Sequence, residues 1–575
     1  MKTRRKFLRH SAVGAAVLSA PGWLSSCATS QVPAQLVLTN GEIHTVDAMN
    51  RRVAAMAVQA GRIIATGSDQ DMSAWIGPDT RVINLDGRTV LPGINDSHLH
   101  LLMWAMGQPP YALDMGLPSI QACVAEVARA VDARKPGEWI VGRGWDQPYF
   151  AEGRAPTAAD LDAVAPDNPV VLTEFSGHAV WVNSMAMRLV GIDENSVPPE
   201  GGVIVKDAAG KPTGVLFEGA AWEVRRAIPE PGDAERKTAL RAAMQRMLER
   251  GVTSCTIPGQ SPEILQLLND VAAETSNPAR LRMTGLVRSG ASHEGLLEAM
   301  AGMAELPTGD PMWMQMPGVK IMGDGIPTAN KTAWLLSPYV GGGNGHLLIN
   351  GNTDADRVVE LNKMIDTIHA AGLQIGTHVT GDQSIDVTVA AYRKVQAAGE
   401  RQDPRHYLIH ADLVSETTLA QMAAAGIGGN FNPEIKHMIA DGQVYALGPE
   451  RAAYEWPYRS ALDAGVVVAS SSDAPVTPGN WLQGIATCMN RIGKQTGKVS
   501  GPEQRITLDE SIRTYTWAGA WQDHAETYKG TLEPGKVADF CALDERLSTL
   551  DPTVFADVDV ALTSVDGVVV HDRLA

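Results

Sequence analysis

The sequence predicts a (β/α)8 barrel (a TIM barrel) with a large insertion, plus a small β-sandwich domain formed by both chain ends. Three features of the 575 residues predict this fold. Short apolar runs alternate with helical stretches through the middle, both ends are rich in short strands separated by turn residues, and one segment interrupts the alternation. Strand–helix alternation over this length favours a parallel sheet closed into a barrel over a doubly wound sheet.

The two ends of the chain predict the small domain. Residues 35–92 and 530–575 contain short apolar runs broken by turn signals such as Asn40-Gly41 and Asp566-Gly567. We therefore assign both segments to one composite β-sandwich domain and residues 93–529 to the barrel. Residues 116–218 are rich in Trp, Pro and Gly. They predict an insertion of about that span after the first barrel strand, where it would cap or wall the site.

Composition excludes some functions. Hydrophobic residues make up 44% and charged residues 20% of the chain, which suits a large globular core. The formal net charge of −17 argues against a nucleic-acid partner, because phosphates require an excess of Lys and Arg. Apart from Cys27, the four cysteines are widely spaced and form no CxxC pair, which predicts core residues, not a disulfide framework or a zinc finger. They are Cys123, Cys255, Cys488 and Cys541.

Residues 1–27 are typical of an export signal. Arg4-Arg5 forms a twin-arginine pattern, and the apolar stretch over about residues 11–24 is too short to span a bilayer. Leu24 to Cys27 resembles a lipobox, in which cleavage would leave a lipidated cysteine. We expect an exported protein, either periplasmic or anchored to the membrane through Cys27 and facing the periplasm. The alternative is an ordinary cleaved signal, with Cys27 lost.

Four histidines and one aspartate stand where apolar strands end, the position of catalytic groups in a TIM barrel. His98 and His100 are two residues apart on a strand, so both imidazoles point to one side and can bind one metal ion. His378 and His410 each end an apolar run, and Asp473 follows another. Each alone has a simpler interpretation, such as a histidine bonded to a backbone carbonyl. Together they predict a metal centre.

Lys320 lies within an apolar strand, where an unpaired cation is costly to bury. One interpretation is an ion pair between Lys320 and Asp324. The other is that the amine, with a lowered pKa, adds CO2 and becomes a carbamate that bridges two metal ions. The second would turn an unfavourable cation into a ligand.

These residues resemble the amidohydrolase superfamily, in the amidohydrolase-3 or YtcJ-like branch, and the resemblance covers nearly everything after the signal. It departs at Met322-Gly323, where the branch more commonly has Phe-Ala, which should reshape a pocket wall. The segments that carry the resemblance are Gly142 to Asp146, Gly177 to Ser184, Val319-Lys320, His378 with Gly381-Asp382, His410, Ser472 to Pro475 and Gly530 to Asp539.

The resemblance implies a divalent metal, expected as two zinc ions per chain, and roles for individual residues. Asp473 would take a proton from the metal-activated hydroxide and return it to the leaving amine. Asp382 would orient a ligand histidine. His178, Trp145 and Asp324 would contact the substrate, although His178 has an equal alternative as a structural hydrogen bond within the insertion.

The implied activity is hydrolysis of a non-peptide C–N bond in a small amide-like molecule. One alternative keeps the metal site but has it act on an ester, a lactone or a phosphotriester. Another is a non-catalytic lipoprotein that binds ligands on a degenerate barrel. The intact ligand set argues against that alternative, because a binding module has no need of Asp473. The sequence leaves the substrate, the metal and the oligomeric state open.

Overall fold

The computed structural model describes residues 32–147, 150–175, 177–199, 202–277, 279–328, 331–399 and 401–574. The predicted signal, with Arg4, Arg5 and Cys27, lies outside these ranges, so export and lipidation stay predictions. Among the described helices, none is long and apolar enough to cross a membrane. Cys123, Cys255, Cys488 and Cys541 are buried and unpaired, as expected for core residues.

Eight parallel strands form the central sheet, and their spatial order follows the chain. Ser97 Oγ donates to the Ser470 carbonyl at 2.6 Å, which joins the first strand region to the last. This arrangement confirms the predicted barrel. Barrel strands one to eight are Ile94–Asp96, Val252–Gln260, Arg282–Arg288, Met314–Met322, Gln374–Val379, Tyr407–His410, Gly428–Phe431 and Val468–Ser470.

Helices between the barrel strands bury one apolar face against the sheet. In the helix Asp354–Ala370, for example, Leu361, Ile365 and Ile368 are buried, and Thr353 caps the first turn by accepting from the Asp356 amide. The other helices from strand one onward, outside the insertion, are Leu101–Met106, Gly219–Arg226, Asp233–Glu249, Pro262–Ala272, His293–Ala304, Asp382–Ala398, Glu416–Ala424, Pro433–Leu447, Pro449–Tyr454, Tyr458–Ala464, Trp481–Asn490, Leu508–Thr514 and Trp517–Gln522, with a 3-10 turn at Pro502–Gln504.

Both chain ends build two further sheets that share a core. Leu38 and Val58 of one sheet pack with Val90, Phe540 and Leu562 of the other, so the sheets form a β-sandwich. The first sheet contains Arg62–Gly67, Ala55–Gln59, Leu36–Thr39 and Arg81–Asn84. The second contains Val568–Asp572, Val560–Val565, Phe540–Leu543, Thr89–Pro92, Glu42–His44 and Arg52–Val53. Nearby lie the helix Asp69–Met72 and the 3-10 turns Ser73–Trp75, Leu547–Thr549 and Pro552–Asp557.

The insertion follows barrel strand one and forms its own sheet and core. The sheet contains, in spatial order, Val203–Lys206, Pro212–Phe217, Ala179–Val182, Val170–Glu174, Ile140–Trp145 and Leu113–Asp114. Its helices are Ile120–Val131, Ala158–Asp162 and Ser184–Leu189. A cavity of about 1130 Å³ lies between the insertion and the barrel, lined by Arg143 and Phe175 on one side and by Trp104 and Pro475 on the other. The insertion therefore forms one wall of a cavity whose other wall includes Pro475, two residues after Asp473 in the chain.

Candidate metal centre

The carboxyl ends of the barrel strands converge on a cavity of about 350 Å³. Its lining contains every side chain predicted as a metal ligand, supplied by strands four, five and six and by the loops after strands one and eight. These residues are His98, His100, Lys320, His378, His410 and Asp473. His98 and His100 were predicted to lie on a strand, but barrel strand one ends at Asp96 and both histidines follow it. Parallel strand order brings these distant segments to one end of the barrel.

The tightest group is His98, His100 and Asp473. Asp473 Oδ1 lies 3.2 Å from the Nε2 atoms of both His98 and His100. One ligand atom from each of the three residues can be chosen so that all lie within 4.8 Å of one another. Among the described residues, this buried carboxylate oxygen has no hydrogen-bond partner. An orphaned carboxylate oxygen facing two imidazole nitrogens fits a divalent cation, since zinc takes these donors.

Backbone hydrogen bonds hold this group in place. The Asp473 amide donates to the His98 carbonyl at 2.8 Å, and the His100 amide donates to the Ala474 carbonyl at 2.8 Å. Ser472 also donates to Asp96, through its amide at 3.0 Å and its hydroxyl at 2.5 Å. Asp473 has a φ of 59°, in the left-handed region that non-glycine residues rarely adopt. Tertiary contacts thus hold the backbone of Asp473 in a strained conformation.

His378 and His410 form the second part of the site. Their ring centroids are 4.5 Å apart, and the His410 ring is 5.3 Å from that of His98. His410 Nδ1 donates to Asn432 Oδ1 at 2.6 Å, and His378 Nε2 donates to the Gly325 carbonyl at 3.2 Å. The opposite ring nitrogen of each histidine is therefore the unprotonated one and is available as a ligand.

Lys320 is buried between these groups, with its Nζ 3.5 Å from His98 Nε2. Burial lowers the pKa of its amine to about 8, although the negative charge of Asp473 acts in the opposite direction. Gly259 makes room for the side chain: a Cβ at this residue, whose φ is +78°, would lie 3.2 Å from Lys320 Cδ. The site therefore holds an amine that is more easily neutralised than a surface lysine.

The charge states of the other ligands suit metal binding. Burial lowers the pKa of His98 and of His378 well below the usual value, and lowers that of His410 to about 4. Burial alone would raise the pKa of Asp473, but the neighbouring His98 and His100 hold it well below its usual range. Neutral imidazoles around an ionised carboxylate are the forms that ligate divalent ions.

Two residues predicted to contact substrate lie in the insertion, away from this cavity. Trp145 is buried in the core of the insertion: its Nε1 donates to the Leu172 carbonyl at 2.7 Å and its ring lies 6.4 Å from that of Trp181. His178 Nδ1 lies 3.1 Å from Glu218 Oε1. Neither side chain lines the cavity around the predicted ligands. Trp145 Nε1 is thus satisfied within the insertion, and His178 makes a hydrogen bond there as well. Contact of either residue with substrate stays a prediction.

Asp324 and Asp382 are also outside the cavity lining. Asp324 is buried and accepts hydrogen bonds from the amides of Trp334, Thr380 and Gly381 and from the Ser384 hydroxyl. Within the described ranges it forms no ion pair with Lys320. Asp382 Oδ1 accepts from the Leu336 and Gln383 amides at 2.8 and 3.0 Å, and in the part of the chain that the structure describes it makes no hydrogen bond to a histidine. Both carboxylates fix loop backbone after the strands that carry Lys320 and His378.

The structure adds residues that the sequence argument missed. Arg288, Gln260 and Met103 line the cavity, as does Met322, which was expected in a pocket wall. Arg288 ends barrel strand three, so the strand-end rule used for the histidines applies to it as well. Asn432, which orients His410, carries no recognisable sequence signal.

Known proteins share both the sequence pattern and the fold. The amidohydrolase family model matches residues 81–571. The chain is 28% identical to the putative amidohydrolase YtcJ of Bacillus subtilis, over 93% of this chain and 98% of that protein. It is 29% identical to an N-substituted formamide deformylase of Arthrobacter pascens, over 94% and 98%. An uncharacterized metal-dependent hydrolase of Pyrococcus horikoshii OT3 superposes with a TM-score of 0.71 at 22% identity, over 90% and 99%.

Proposed function

This chain belongs to the amidohydrolase family, in the amidohydrolase-3 branch, and we propose that it hydrolyses the C–N bond of a small non-peptide amide. Membership makes it a metal-dependent hydrolase. The observation that carries the proposal is the orphaned Asp473 Oδ1, 3.2 Å from two imidazole nitrogens at the mouth of a barrel. The similarity to a formamide deformylase over 94% of this chain supports N-substituted formamides as the first substrates to examine.

We assign the metal-binding residues in two groups. His98, His100 and Asp473 would hold one divalent ion, His378 and His410 would hold a second, and Lys320 would contribute a ligand to both. Lys320 would join as a carbamate: its amine bonds to the carbon of CO2 and releases one proton to solvent. Imidazole and carboxylate donors favour zinc. When bound, such ions supply Lewis acidity, which polarises a carbonyl and acidifies water towards neutral pH.

Asp473 is the residue we assign to proton transfer. An amide nitrogen leaves readily only once it is protonated, so a group at the site must take a proton from the attacking water and deliver it to that nitrogen. Asp473 is ionised, and its side chain keeps 10% of its surface exposed. It lines the cavity, so it can reach both water and substrate.

Removal and return of metal test this function. Chelator-treated protein should lose hydrolysis of N-substituted formamides, and added zinc should restore it as the ions rebind. Matched esters and lactones are measured in parallel. Turnover of those compounds, with formamides and other amides untouched, would contradict C–N hydrolysis. A zinc-loaded protein that hydrolyses none of the compounds would contradict the enzymatic proposal itself.

We also propose that the protein is exported by the twin-arginine route and anchored through a lipidated Cys27. The Arg4-Arg5 pair and the lipobox-like Leu24 to Cys27 support this. Mass spectrometry of the mature N-terminus should find acylated Cys27. A mature chain that starts at Ala28 or later would exclude the anchor, and export of an Arg4→Lys, Arg5→Lys variant would exclude the route.

A further inference from the structure

Arg288 stands beside the metal ligands without having been assigned a role. It is the last residue of barrel strand three, and its register partner on strand four is Lys320. Neighbouring strands lie about 4.8 Å apart, and register partners in a parallel pair face the same side of the sheet. Arg288 is exposed and lines the same 350 Å³ cavity as the predicted ligands.

The guanidinium of Arg288 has no partner among the described residues. In the part of the chain that the structure describes, its side chain makes no hydrogen bond and no ion pair. Arg282, at the other end of the same strand, shows the contrast: its Nε lies 2.6 Å from Asp539 Oδ2. Asp473 is the only carboxylate among the described lining residues, and it already faces His98 and His100. The cavity therefore presents a cation that the protein leaves uncompensated.

We propose that Arg288 is a subsite for a carboxylate on the substrate, so that the substrate is a small amide that also carries a carboxylate group. This inference rests on the proposed function. A planar guanidinium binds a carboxylate through two parallel hydrogen bonds, which orients as well as attracts it. Met103 and Met322 line the rest of the cavity and offer apolar contact to the portion between amide and carboxylate.

A pair of metal-binding probes tests the subsite without requiring turnover. Propionohydroxamate and succinic monohydroxamate both present a hydroxamate to the metal, but only the second carries a carboxylate; the glutaric homologue adds one methylene of reach. Titration calorimetry on zinc-loaded protein should find the better-fitting carboxylate probe about 10- to 100-fold tighter than propionohydroxamate. Arg288→Gln should abolish this difference and leave the propionohydroxamate affinity unchanged. Arg288→Lys should keep part of it.

Arg188→Gln is the matched control, because it removes the same charge from an exposed residue on the insertion helix Ser184–Leu189. It should keep the difference. Melting temperature and zinc content of each variant check that fold and metal are intact. Equal affinity of the probes in the unmodified protein, no binding of any probe, or an equal weakening of all of them by Arg288→Gln would overturn the inference.

Kinetics separate this inference from the proposed function. N-formyl amino acids are compared with their neutral amides, and Arg288→Gln should lower kcat/KM only for the carboxylates, mainly through KM. A protein that hydrolyses no formamide but retains the carboxylate-dependent probe affinity would refute the proposed function and leave the subsite standing. Hydrolysis of both formamide classes at equal kcat/KM, with no effect of Arg288→Gln, would refute the subsite and leave the proposed function standing.

Discussion

Replacement of Lys320 by Ala separates the two interpretations of this buried lysine. If Lys320 carries a bridging carbamate, the change removes an anionic ligand from both metal sites and leaves only His378 and His410 at the second. The first site keeps its trio of His98, His100 and Asp473, whose ligand atoms lie within 4.8 Å of one another. We therefore expect zinc to fall from about two ions per chain to about one or fewer, because two neutral imidazoles are too few ligands for a stable site and the first site also loses a ligand.

The structure also sets the expected effect on stability. Asp324 keeps its four donors when Lys320 is removed, so no orphaned carboxylate results. Truncation of a long buried side chain leaves a cavity, which costs about 2–5 kcal/mol for large aliphatic residues. Loss of an amine whose charged form is disfavoured by burial offsets part of this cost. We expect a decrease in the free energy of unfolding near the lower end of that range for the metal-free protein.

The zinc content of Lys320→Ala is measured by atomic emission after gel filtration. Its activity is measured with and without formate or acetate. Short carboxylates should restore part of the zinc and of the rate in Lys320→Ala, because they can enter the vacated space with two oxygens. The carbamate itself should appear by ¹³C NMR of the unmodified protein after exchange with labelled CO2. Two zinc ions in Lys320→Ala, with no response to added carboxylate, would refute the bridging role of Lys320.

Three further changes test separate parts of the site and the barrel. Asp473→Asn should keep fold and zinc while kcat falls roughly 10²–10⁴-fold, and a near-normal kcat would remove Asp473 from proton transfer. Burial lowers the pKa of His406 to about 3, and its Nδ1 accepts from the Ile375 amide. The unfolded chain therefore takes up the proton first, so the free energy of unfolding should fall as pH drops from about 6.5 to about 3. The free energy of unfolding, measured with urea at several pH values, should depend less steeply on pH for His406→Gln. An unchanged pH dependence would contradict this assignment. Gly259→Ala should lower stability and zinc content more than Gly372→Ala, since both have positive φ but only the first meets a side chain; equal effects in calorimetry and zinc analysis would refute the packing argument.

The barrel and its ligands could be predicted because their signals are local. An apolar run that ends at His378, or two histidines just after a strand, indicates both the chemistry of the site and the end of the barrel at which these residues lie. Chain order then places such strand ends together, so the cluster of His98, His100, His410 and Asp473 required no tertiary information.

Only the tertiary structure decided which polar residues near these motifs face the cavity. Trp145 and Asp324 stand in motifs as distinctive as those of the ligands, yet their polar atoms are satisfied by backbone groups that the sequence does not place beside them. Arg288 has no such partner among the described residues and lines the same cavity as the ligands, which depends on the register of strands three and four. Side-chain chemistry is a property of the residue, whereas hydrogen-bond satisfaction depends on neighbours brought together by folding.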